Sequence, residues 1–147
     1  MRLLLAAIVA VFPLRAVAAE LPAPFLGTWR IANPADNQCK GGLTGAPEGH
    51  IVVKPGEIEQ YESACRIVAV RATRANEREP MSVVADLACA GEGMRWRDRT
   101  LWHLETVEGR KLIARTTLSS AGHDQRGRRM KGGALPTTTL YAECRAP

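Results

Sequence analysis

Beyond residue 19 the chain alternates polar and apolar positions in short runs, and breaks containing Gly or Pro separate the runs. No stretch spaces its apolar residues at three and four, as a long amphipathic helix requires. Alternation with period two predicts strands with one buried face. Residues 26–32 place Trp29 and Ile31 on one face, with Thr28 and Arg30 on the other. Residues 51–54 and 58–62 flank Pro55-Gly56, which suits a tight reversal. Residues 65–73 and 81–90 flank a polar stretch. Residues 94–106 and 111–118 meet at Glu108-Gly109, a hairpin signal. Residues 137–145 form the last run, with Leu140, Ala142 and Cys144 in phase. Two long Gly-rich loops are expected, at 33–49 and 119–136. The prediction is all-β: about eight antiparallel strands in an up-and-down barrel, with a small β-sandwich as the alternative. Closure is favoured because it removes exposed sheet edges.

Register then bears on the four cysteines. A hairpin centred near Glu77 sets Cys65 against Cys89, Ile67 against Leu87 and Ala69 against Ala85. Directly opposed residues of an antiparallel pair are close enough to be bridged. The expected disulfides are therefore Cys65–Cys89 and, with the two that remain, Cys39–Cys144. The second would tie the first long loop to the last strand. No two cysteines lie closer than 24 residues, so the tight pairs of zinc sites and redox motifs are absent.

Two bridges imply an oxidising compartment, and the N-terminus agrees. Arg2 precedes an apolar run from Leu3 to Phe12, and Ala16, Val17, Ala18 and Ala19 supply the small residues of a cleavage site. Residues 1–19 are read as a cleaved secretory signal peptide, and residues 20–147 as a single β-barrel domain. The apolar run is about half the ~20 residues that span a bilayer, so no membrane span is expected. A periplasmic or secreted monomer is. Without Arg2 and Arg15 the balance is 18 basic to 15 acidic residues, too mild to suggest nucleic acid. No stacking aromatics interleave with the basic residues either.

Gly27-Thr28-Trp29 at the head of the first strand is a G-x-W. It resembles the opening of lipocalin-like barrels, of avidins and of small bacterial protease-inhibitor barrels. That resemblance covers residues 25–31 and the strand rhythm. It implies a structural role for Gly27 and Trp29, with the indole plugging one barrel end beneath a basic residue of the last strand, here Arg145. A second lipocalin motif is missing, and the chain is short for that family. The order G-T-W, C, E-S-x-C-R, C-x-G-E-G and a final C also resembles a class of small exported bacterial four-Cys β proteins. This second resemblance spans most of residues 20–147 and implies no activity.

Candidate chemistry is sparse. His50, His103 and His123 share no metal-ligand spacing, so neither metal nor cofactor is expected. Ser119, Ser120, His123 and Asp124 are too close in sequence for triad geometry, and no G-x-S-x-G is present. An enzyme is not expected. Met94, Trp96, Trp102 and Leu104 share one face of their strand, interrupted by Asp98 and Thr100. An eight-stranded barrel can hold one small ligand, so these residues are the candidate ligand site, with Asp98 as its polar contact. Arg95, Arg97 and Arg99 fall on the opposite face. The basic loop residues Arg126, Arg128, Arg129 and Lys131 are candidates for an anionic surface. The leading expectation is a non-enzymatic binding protein for a small apolar or amphipathic ligand. One alternative is a protease or hydrolase inhibitor whose segment 20–25, kept extended by Pro22 and Pro24, enters a protein target. The other is an envelope-associated structural protein using the basic loop.

Overall fold

Eight strands follow one another in chain order around a closed antiparallel barrel. The computed structural model describes residues 19–32, 48–74, 81–129 and 135–144. The strands are β1 (Gly27–Ile31), β2 (His50–Lys54), β3 (Glu57–Gln60), β4 (Ser63–Arg74), β5 (Met81–Gly91), β6 (Met94–Val107), β7 (Arg110–His123) and β8 (Thr137–Glu143). Strand β8 closes the ring on β1, with Trp29 opposite Glu143 and Ile31 opposite Tyr141. A closed ring excludes the sandwich. Among the described residues no helix is long and apolar enough to cross a membrane.

The turns explain the meander. Glu92-Gly93 and Glu108-Gly109 have φ of 46°, 74°, 49° and 73°. Left-handed backbone at both central residues gives the tight hairpin whose twist matches the strands it joins.

Register follows expectation until Ile67 and then departs. Cys65 faces Cys89 and Ile67 faces Leu87, and the disulfide Cys65–Cys89 is formed. Beyond them Val68 is an extra residue, so Ala69 meets Asp86 and Val70 meets Ala85. The expected facing of Ala69 and Ala85 is thus corrected by a bulge. A bulge shifts the side-chain phase by one residue. Val70 thereby packs against the core, while Val68 and Arg71 turn to solvent. Strand β7 corrects a second expectation. It continues to His123, so residues 119–123 are strand rather than loop. Leu118 is the unpaired residue there, opposite the step from Arg99 to Thr100.

The interior is apolar at one end. Trp29, Trp102, Ile58, Ile67 and Ile113 are fully buried. The segment before β1 closes that end, but not as an extended arm. Residues Ala23–Phe25 form a 3₁₀ turn, and Leu21 and Phe25 are buried in the core cluster. Two apolar side chains four residues apart gain more by covering the barrel end than by remaining in water. The Phe25 ring meets Trp102 edge-on at 6.4 Å, and Trp29 Nε1 donates to Phe25 O at 2.8 Å. Met1 to Ala18, Cys39, Lys131 and Arg145 lie outside the described residues, as therefore do most of the expected signal, one end of the second bridge and the basic partner expected for Trp29.

Candidate functional site

A cavity of about 250 Å³ opens at the barrel end opposite Phe25, lined by Gln60, Ser63, Trp96, Asp98, Arg115, Thr117, Thr139 and Tyr141. Alternation delivers each of them. Counting inward positions along β6 gives Trp96, Asp98, Thr100, Trp102 and Leu104; along β7 it gives Ile113, Arg115 and Thr117. At the closed end these positions carry large apolar groups, and at the open end polar ones. Half the barrel is core and the other half is a polar cup.

The candidate apolar site divides along the same line. Trp96 and Asp98 line the cavity. Trp102 does not: it is wholly buried beneath the cavity floor, its Nε1 donating to Thr100 Oγ1 at 2.8 Å. Leu104 packs on the core at the far end, and Met94 starts β6 at the open end without lining the cavity. The four apolar candidates therefore do not form one wall. The strand is fourteen residues long, and its inward face crosses from cup to core.

Arg115 is the residue that reading the strands missed. It is only 7% exposed, and its guanidinium lies over the Trp102 ring at 5.2 Å. Its Nη1 donates to Gln60 Oε1 at 2.8 Å, and Gln60 Nε2 reaches Cys65 Sγ at 3.2 Å. The disulfide, Gln60 and Arg115 thus form one chain of contacts. Arg115 Nε is buried with no hydrogen-bond partner, and no carboxylate pairs with Arg115 among the described residues. On β6, Asp98 accepts from Trp96 Nε1 at 3.1 Å through one oxygen, and its Oδ1 is buried without a partner. A signal for Arg115 existed: it stands two residues after Ile113, a charge on an otherwise inward face, as Asp98 does on β6.

Charged groups surround the opening. The Glu92 carboxyl is pushed above the usual carboxylate range, first by hydrogen bonding with the Glu62 carboxyl and then by its charge. On the outer wall Arg95, Arg97 and Arg99 point to solvent, as read from the sequence. Arg99 and Arg71 share Asp86, and the hydrogen bond from Arg99 holds the Asp86 carboxyl below its usual range. In the basic loop, Asp124 accepts from the backbone N of Arg126 and Arg128, both at 2.9 Å, and from Arg128 Nε at 2.8 Å. Arg126, Arg128 and Arg129 are all exposed, and Arg128 is ion-paired with Asp124 within that turn. Asp124 is held below its usual range chiefly by the Arg128 backbone hydrogen bond, with the Arg128 side chain assisting. Ser82 Oγ and His103 Nδ1 pair at 2.7 Å, and no group of three metal-ligating side chains exists among the described residues.

The cup can hold a small polar molecule and offer it a cation, a carboxylate oxygen, hydroxyls and one indole face. No protein-family model matches the chain, and neither a curated protein nor a solved structure matches it.

Proposed function

We propose that the chain is an exported, non-enzymatic binding barrel whose open end takes a small polar ligand through an acidic group held by Arg115. One observation carries the reading: a cation 7% exposed, with no carboxylate partner among the described residues, facing a cavity. Burying an ion costs several kcal/mol. The stack on Trp102 returns about 2 kcal/mol, and the Gln60 hydrogen bond about 1.5–3 kcal/mol. A carboxylate or phosphate oxygen on the Arg115 guanidinium would complete the site with a charge-assisted bond. The polar wall turns the expected ligand from apolar towards hydrophilic. Export and a second bridge, Cys39–Cys144, belong to the same reading, since a protein carrying the Cys65–Cys89 bridge suits an oxidising compartment. Peptide mapping under non-reducing conditions tests the bridge.

The binding test is calorimetric titration with acetate, propionate and inorganic phosphate, followed also by tryptophan fluorescence. Saturable binding that disappears in Arg115→Gln is expected. No saturable response to any of the three, or equal binding by Arg115→Gln of unchanged circular dichroism, overturns the reading.

A further inference from the structure

Arg115 and Asp98 have the same arrangement with opposite sign. Each gives part of its charged group to the protein, Nη1 to Gln60 and one oxygen to Trp96. Each keeps another atom, Nε and Oδ1, buried without a hydrogen-bond partner, and both residues line one cavity. They do not pair with each other. Register keeps them apart: Arg115 sits opposite Trp102, whereas Asp98 sits opposite Ser120, beyond the Leu118 bulge. Four residues along β6 separate the two levels by about 13 Å, and contacts at each base hold the side chains in place. Opposite charges on the wall of a partly buried cavity attract each other more than in bulk water. Two opposite charges that line one cavity and do not pair with each other leave room for a molecule that carries both signs.

We infer that the ligand is a small zwitterion, an acidic group on Arg115 and an ammonium on Asp98, of which the α-amino acids are the simplest class. This rests on the Arg115 reading and names its ligand. A simple anion would satisfy Arg115 and leave the Asp98 oxygen facing a like charge. A simple amine would do the reverse. Only a molecule carrying both charges meets both groups, and a charged group left unmet in a cavity wall is costly. Trp96 also lines the cavity, and an ammonium over an indole ring is stabilised. About 250 Å³ is below the ~300–1,000 Å³ of drug-sized pockets, so the molecule is small.

Matched pairs test this in calorimetry: alanine, β-alanine and 4-aminobutyrate, each against propionate or butyrate, plus ethylamine. The three zwitterions hold their charges at increasing separation and so report the gap. At least one is expected to bind tenfold or more tighter than its carboxylate. Asp98→Asn, which keeps an acceptor for Trp96 Nε1, should remove that advantage and leave propionate unweakened. The Trp96 indole N–H resonance checks that the mutant site is intact. If Asp98→Asn loses that resonance, Asp98→Ser supplies the same comparison. If propionate binds through Arg115 but no zwitterion exceeds its carboxylate, the zwitterion inference fails while the anion reading stands. If nothing binds and Arg115→Gln changes nothing, both fail.

Discussion

Replacing both Cys65 and Cys89 by alanine should cost about 3.5 kcal/mol, and the number follows from the chain. The bridge closes a loop with a sequence separation of 24 residues. In the chain-entropy account, releasing a loop of that length returns about 11–12 cal/mol/K to the unfolded ensemble, or ~3.5 kcal/mol at 25 °C. Alanine keeps both Cβ atoms but empties the volume of two core sulfurs, so packing loss adds to this figure. The contact from Gln60 Nε2 to Cys65 Sγ is lost, but sulfur is a weak acceptor. For a domain of this size the loss should lower the midpoint of thermal unfolding by roughly 10–15 °C. Urea titration of the wild type and the double mutant, followed by circular dichroism, measures it directly. A loss under about 1 kcal/mol at unchanged slope would refute the reasoning. It would mean that β4 and β5 already pair in the unfolded chain, leaving no loop entropy to remove. A non-reducing map joining Cys65 to Cys39 or Cys144 would refute the premise.

Three further outcomes are expected. Trp102→Ala should destabilise by about 3–5 kcal/mol in urea titration, the cost of emptying a fully buried aromatic site, whereas Trp96→Ala, at the cavity wall, should cost clearly less. Gly122→Ala should destabilise by about 1–3 kcal/mol and shift the Trp96 indole resonance, because a Cβ there would stand 2.5 Å from Trp96 Cβ and 2.7 Å from Arg95 O; an unmoved resonance would refute that crowding. The Asp86 carboxyl is held low by Arg99, so its stabilising share is present above the usual carboxylate pKa and fades as pH falls through the lowered folded value. Asp86→Asn should flatten that acid limb of the stability curve by about 1 kcal/mol or less, and a limb left unchanged would show the ion pair to be energetically idle.

Much of the barrel was legible because alternation is local. Each of the eight strands overlaps a run of period two in the sequence, and the Pro-Gly and Glu-Gly turns fall between them. The Cys65–Cys89 bridge agrees with the expected facing, although pairing nearer the turn is shifted, Ala69 meeting Asp86 and Arg74 meeting Ser82. Legibility stopped at the bulges. Val68 and Leu118 each insert one residue, and nothing local distinguishes an inserted residue from its neighbours. The choice is made by packing, which turns Val70 inward and Arg71 to Asp86. The segment before β1 was misread for a similar reason. Pro22 and Pro24 suit an extended arm, but the open barrel end that Leu21 and Phe25 fill exists only after the strands have closed.

The candidate site divides in the same way. That Met94, Trp96, Asp98, Thr100, Trp102 and Leu104 share a face is a property of strand periodicity. Which of them touch a ligand space and which are core depends on depth along the barrel axis, and a period of two carries no depth. Arg115 shows the limit most clearly. Alternation alone left the phase of 111–118 open; the stack on Trp102 comes from the β6–β7 pairing, and the hydrogen bond to Gln60 from the ring that brings β3 to β7. The order of polar and apolar residues determined strands, turns and one disulfide, because those depend on neighbours in the chain. Closure decided the polar cup, because it brings Gln60 of β3 against Arg115 of β7, strands far apart in the chain.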